Sequence, residues 1–216
     1  MKDLPRKRGR RYITELVAQG EHDMQDFKFA VSDARKIARS VSAFANAGGG
    51  RLLIGVKDNG VVAGVRSEED VYVVEQAASR YCKPAVEVEF TVYSYDTRVD
   101  VIQATVPRAS RRPVRCQEPD GAWRAYYRVA DENIAAHPLM VRAWEASSAS
   151  FSLSDDAVRL IGLLDASPQG LDIDDIARRL AMSRLRAESL VVDLAAADIA
   201  AFVYRAPHFK ITRKKD

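Results

Sequence analysis

The sequence is poor in cysteine and histidine, with two cysteines and three histidines in 216 residues. Cys82 and Cys116 form no C-x-x-C and stand beside no histidine pair, so neither a disulfide framework nor a cysteine-based zinc site is expected. His22, His137 and His208 are scattered, and no local Ser-His-Asp or Cys-His grouping points to nucleophilic catalysis, although such residues need not adjoin in sequence. No run approaches the roughly 18 consecutive apolar residues of a membrane-spanning helix. The opening MKDLPRKRGRRY is basic but lacks the apolar segment of a secretory signal. A cytoplasmic protein without membrane partners is expected. Neither G-x-x-x-x-G-K-[ST] nor G-x-G-x-x-G occurs, so nucleotide-phosphate loops lack sequence support. No internal repeat is evident.

What the chain does contain is apolar content and an uneven charge. Apolar residues make up 47% and charged residues 29%, so a buried core is expected rather than wholesale disorder. The length allows a domain of about 150 residues with a smaller one beside it. Lysine and arginine total 33 against 30 acids, a net of +3. Residues 1–12 hold six of the cations (Lys2, Arg6, Lys7, Arg8, Arg10, Arg11) against Asp3 alone, whereas residues 151–216 hold ten of each sign. Arg108, Arg111, Arg112 and Arg115 form a second basic run with no acid between them. Such runs neutralise phosphates and release counterions from nucleic acid; they also occur as solvated tails and loops.

Hydrophobic periodicity organises the rest. Residues 24–29 alternate as a half-buried strand, with Phe27 and Phe29 toward a core and Asp26 and Lys28 on the other side. Ser32 or Asp33 can cap a helix in which Ile37, Val41 and Phe44 recur at helical spacing. Gly48-Gly49-Gly50 stops that helix, and Leu52–Val56 reads as a short buried strand turning at Asp58-Asn59-Gly60. Ser67 and Asp70 start a second helix that reaches about Tyr81. Residues 86–94 and 98–106 alternate as strands, and the parity change at Val101-Ile102 suggests a bulge. Another hairpin is expected around Pro119-Asp120-Gly121. The result is an α+β domain with a mixed, mostly antiparallel sheet and packed helices. The expected organisation is a basic arm over 1–12, this domain over 13–145, a small polar linker over 146–152, and a second domain over 153–216. In the last, helices at 155–164, 172–180 and from Ser183 onward precede a strand pair, the order of a winged helix-turn-helix.

Glu21-His22-Asp23-Met24-Gln25-Asp26-Phe27-Lys28 is followed by Ser42-Ala43-Phe44-Ala45-Asn46-Ala47-Gly48-Gly49-Gly50-Arg51-Leu52-Leu53-Ile54-Gly55-Val56-Lys57-Asp58-Asn59-Gly60. Together these segments resemble the Schlafen AlbA_2 family: E-x4-[ED]-F-K, a helix ending A-F-A-N, then G-G-x-[LI]-x-I-G-V-x-D-x-G. Arg112-Pro113-Val114 and Tyr126-Tyr127-Arg128-Val129 extend the resemblance over about residues 10–145. It implies an α+β fold used for nucleic-acid binding, often joined in bacteria to a helix-turn-helix in transcriptional regulators. Schlafen relatives that cleave transfer and ribosomal RNA use three acids with a metal, and those positions fall on Glu21, Asp26 and Asp58. Position 26 is Asp where those nucleases commonly carry Glu, one methylene shorter. They also juxtapose two such lobes, so this chain would need a homodimer to imitate them.

Independently of the resemblance, converging carboxylates suit Mg²⁺ or Mn²⁺. Glu21 must then lie in the loop before the strand, since residues five apart on a regular strand face opposite ways. A surface acid, a strand-edge Asp26 and a turn-capping Asp58 fit the same residues. The glycine run leads into a strand, whereas a phosphate-binding loop leads into a helix. In the second domain, Ser183-Arg184-Leu185-Arg186 would open a recognition helix. Arg205, Lys210, Arg213, Lys214 and Lys215 would form a basic wing, although winged helices also serve as protein-interaction modules. The expectation is a protein that binds nucleic acid, DNA or RNA, through Arg108, Arg111, Arg112, Arg115, Arg184 and Arg186, with Lys28 and Arg128 added from the family motifs. The alternative is a metal-dependent endoribonuclease using Glu21, Asp26 and Asp58.

Overall fold

Helix α2 (Ala34–Asn46) sets the architecture of the first part of the chain. Asp33 caps it, accepting from the Arg35 and Lys36 amides, and from Ile37 on it is buried on nearly every side. Small residues permit this: Ala38, Ser40, Ser42, Ala43 and Ala45 let backbone approach from both flanks while Ile37, Val41 and Phe44 fill the gaps. In the computed structural model, which describes residues 4–65, 69–146 and 153–214, α2 packs against both sheets of the first unit.

The first sheet has five strands, β1 (Arg6–Arg8), β2 (Gln25–Lys28), β3 (Gly50–Ile54), β5 (Glu89–Asp96) and β6 (Val99–Val106), in the order β1-β5-β6-β3-β2. The β1/β5 and β2/β3 pairs are parallel and the others antiparallel. The second sheet has four, β4 (Cys82–Lys83), β7 (Arg115–Gln117), β8 (Trp123–Val129) and β9 (Glu132–Ala135), in the order β4-β7-β8-β9. The fold is therefore α+β with a mixed, mostly antiparallel sheet.

One face of the five-stranded sheet, carrying Leu52, Ile54, Phe90, Val92, Ile102 and Ala104, buries against α2 and α3 (Glu69–Arg80). The opposite face, carrying Phe27, Leu53 and Val101, buries against Ile13 and Leu16 of α1 (Arg10–Ala18). This double coverage corrects the reading of Val101-Ile102. Both are buried because each face has its own core, and the bulge lies on the partner strand, between Ser94 and Asp96. Residues 6–18 likewise form no loose arm: they supply β1 and α1, with Arg6 paired to Asp100, Arg10 to Asp96 and Arg11 to Glu15. The proposed Ser67 cap lies outside the described residues. Cys82 and Cys116 face each other across β4 and β7 as buried free thiols, and burial pushes Cys116 up to about 12.

The chain divides after Ala136. The second unit contains α4 (Pro138–Glu145), α5 (Asp155–Asp165), α6 (Ile173–Arg179), α7 (Arg184–Ala196) and the hairpin β10 (Ala200–Arg205) and β11 (His208–Arg213). Ser154, Asp172 and Ser183 cap α5, α6 and α7 through their side chains. Leu160, Leu164, Ile176, Leu190, Val191 and Leu194 form its separate core. Helix α4, formed by residues that the sequence reading places in the first domain, shares that core through Leu139 and Ala143. Most of the expected linker, residues 147–152, lies outside the described residues. No helix among the described residues is long and apolar enough to cross a membrane.

Candidate nucleic-acid interface

Strand β2 is an edge of its sheet, so its outward backbone groups need partners from elsewhere. Side chains supply them. Glu21, in the loop before β2, accepts from the Phe27 amide at 2.8 Å. Lys28 Nζ donates to the Phe27 carbonyl at 2.7 Å. Arg128, reaching across from β8, donates to the Gln25 carbonyl at 3.3 Å and the His22 carbonyl at 3.4 Å. It also donates to Asn133 Oδ1 at 3.0 Å and stacks 5.1 Å from the centre of the Phe44 ring. Asp26 lies behind this edge, only 4% exposed, with its carboxylate 2.8 Å from Lys28 Nζ and 3.4 Å from Arg128 Nη2.

The charges follow from these contacts. Burial pushes the Asp26 carboxyl up, but the hydrogen bond from Glu21 and the nearby Lys28 and Arg128 outweigh it and hold Asp26 below the usual range. Burial, with the hydrogen bond shared with Asp26, lifts the Glu21 carboxyl above its ordinary value. The pair is a charge-balanced brace. Asp58 does not join it: it lies exposed in its turn, and no three His, Cys, Asp or Glu side chains among the described residues are grouped to hold a metal ion. With Asp26 facing two cations and Glu21 held to a backbone amide, these residues do not fit Mg²⁺ or Mn²⁺ as arranged.

The arginines separate in the same way. Arg128 is 3% exposed with its donors engaged inside, and Lys28 is half-buried on Asp26, so both brace β2 and neither is presented to a ligand. Arg112 turns inward to the Asn46 carbonyl at 3.2 Å, and Arg115 is half-buried within β7. Arg108 and Arg111 are exposed and, among the described residues, form no ion pair. Arg184 pairs with Asp174 and Glu188, and Arg186 with Asp156, so the start of α7 is locally neutralised.

The loop carrying Arg108 is fixed to the end of α2. The Ala109 amide donates to the Ala45 carbonyl at 2.9 Å. Gly49 lies so close that a Cβ there would come within 3.0 Å of the Arg108 amide and the Val106 carbonyl. Its φ of +86° also favours glycine. Beside this contact opens a groove of about 260 Å³, lined by Met24, Gly48–Gly50, Arg51, Gln103, Thr105 and Val106–Arg108. Arg51, Gln103, Thr105 and Met24 were not singled out from the sequence. The signal was the alternation of β6, where Val101, Gln103 and Thr105 share a face and turn from apolar to polar.

A family profile described as Schlafen, AlbA_2 matches residues 21–137, just over half the chain. The chain belongs to the Schlafen AlbA_2 family. Membership ties it to a nucleic-acid-related function. No curated protein matches it. Among solved structures it is similar to the DIP2311 protein from Corynebacterium diphtheriae, at 18% identity and a TM-score of 0.43. The match covers 72% of this chain and 32% of that one, so this chain spans about a third of that protein's length. Within this AlbA_2 domain, the A-F-A-N asparagine has a clear local task. Asn46 donates to the Val114 carbonyl at 2.8 Å and the Tyr126 carbonyl at 2.9 Å, and accepts from the Val114 amide at 2.8 Å. It ties α2 to the strand region that follows the basic loop.

Proposed function

We propose that this chain is a nucleic-acid-binding protein that regulates transcription, contacting phosphates chiefly through its AlbA_2 domain. One observation carries the reading. Arg108 and Arg111 are exposed and free of ion pairs among the described residues, on a loop fixed to the end of α2. A cation held out by a rigid support, with no acid to leave, is suited to phosphate contact. The second unit, with α5, α6 and α7 followed by a hairpin, is read as a winged-helix-like module. Its Arg184 and Arg186 would have to exchange carboxylates for phosphates, so its contribution to affinity is the smaller one. A homodimer would double the cationic surface.

The test is fluorescence anisotropy with labelled DNA and RNA across a potassium chloride series. Binding should weaken linearly in log–log form, with a slope of about −0.9 per phosphate neutralised on duplex DNA and about −0.7 on single strands. Salt-independent binding, or none, overturns the proposal.

A further inference from the structure

Helix α1 is nine residues long and covers only part of one face of the five-stranded sheet. Phe27, Leu53 and Val101 are buried beneath it. Further along, the same face carries Arg51 on β3 and Gln103 and Thr105 on β6, with Arg51 and Thr105 directly opposite in the antiparallel register. This polar part of the sheet forms the floor of the groove, Gly48–Gly50 and Val106–Arg108 line it further, and Met24, 46% exposed, contributes apolar surface.

The contents of the groove are those of an anion site. Arg51 and Arg108 both line it, and neither forms an ion pair among the described residues. Arg51 Nε is buried without a hydrogen-bond partner, so no internal acceptor is bonded to this nitrogen of the guanidinium. Gln103 is held by the Tyr12 hydroxyl at 2.9 Å and donates to Thr105 Oγ1 at 3.0 Å, which leaves the Thr105 hydroxyl proton available to a ligand. Glycine backbone along one side allows close approach. The groove is open and smaller than the roughly 300–1,000 Å³ of an enclosed small-molecule pocket, which suits part of a passing strand better than a whole nucleotide.

We propose that this uncovered half of the sheet, between Arg51 and Arg108, seats a phosphodiester of a nucleic-acid strand, with Met24 against the adjoining sugar or base. The inference rests on the nucleic-acid reading above and assigns it a place. Glu89, exposed and the register neighbour of Thr105, stands outside the residues that line the groove and adds a negative charge near it.

The experiment uses the full chain and short fluorescein-labelled single strands of RNA and DNA, with AMP, inorganic phosphate and a poly-glutamate peptide as competitors. Arg51→Gln and Arg108→Gln should each weaken strand binding about tenfold and lower the salt slope by about one. Glu89→Gln should tighten binding by about threefold, a gain that misfolding cannot mimic. If Arg51→Gln lowers the melting temperature, Arg108→Gln on the exposed loop and Glu89→Gln decide the matter. Wild-type binding that all three variants leave unchanged refutes this site while leaving the nucleic-acid function intact. No wild-type binding refutes both. Competition by AMP or phosphate at strand-like concentrations makes the groove a free-nucleotide or phosphate site, and equal competition by poly-glutamate makes it a peptide site; either result overturns the assignment.

Discussion

Arg128 shows how far one side chain can depart from the role its charge suggests. An arginine in a Y-Y-R-V strand invites a phosphate, yet its guanidinium lies between Phe44 and Asp26 and donates to one carbonyl of an edge strand and one of the loop that leads into it. The planar fork suits that task, since lysine offers a point charge without the spread of donors. Replacing Arg128 with Met should destabilise the first unit by about 3–5 kcal/mol, because Asp26 loses a buried counter-charge and two carbonyls lose donors. The denaturant midpoint measured against pH checks the cause as well as the size. Asp26 titrates below its unfolded value, so its contribution is complete above the ordinary aspartate range and is lost as pH falls through the lowered folded value. Glu21 has the opposite sign: its raised carboxyl favours the folded state as pH falls from neutrality toward the ordinary glutamate value. The wild-type profile should therefore rise slightly and then fall in acid, and Arg128→Met should start lower and fall less steeply. An unchanged acid limb would mean that Asp26 draws no stability from Arg128.

At the scale of elements, α2 joins most of the fold, and Asn46 is its final fastening. Asn46→Ala removes four hydrogen bonds, one of them a 3.4 Å contact to Ser42 Oγ, and leaves the Val114 amide and the Val114 and Tyr126 carbonyls without that partner. A loss on the order of 2–4 kcal/mol is expected in urea unfolding, with hydrogen exchange rising first at the Val114 amide. A loss below about 1 kcal/mol would show that water replaces the amide readily. Helix α2 was legible from its apolar spacing, its aspartate cap and the glycines that follow. Helices α5 to α7 were legible from their apolar positions and the turn residues between them. Strand β1 was not, because Arg6-Lys7-Arg8 has no apolar pattern and owes its conformation to backbone pairing with β5. The parity of β6 misled because alternation assumes one wet face, and here α1 and α2 cover opposite sides. The motif acids could be located in sequence. Their balance by Lys28 and Arg128 could not, since Arg128 is about a hundred residues away and acts across two sheets.

At the scale of the molecule, the two units have separate cores, and the placement of α4 marks the boundary between them. The sequence suggested a break over 146–152 because small polar residues gather there, while the residues of α4 carry no signal of which core they serve. In the structure Leu139 and Ala143 belong with Leu190, Val191 and Leu194 of the second unit. His137 caps α4 through Nδ1, accepting from the Leu139 amide at 3.2 Å, and lies against Phe202 of the hairpin at 5.7 Å between ring centres. A fragment of residues 137–216 should therefore fold alone, with helical circular dichroism and a cooperative melt. A fragment of residues 153–216 exposes the surface that Leu139 covers and should lose on the order of 3 kcal/mol, a large share of what so small a unit possesses. Equal melting of the two fragments would place the boundary after α4 and return that helix to the AlbA_2 domain. Failure of the longer fragment to fold would show that the second core depends on the first, despite its separate set of buried side chains.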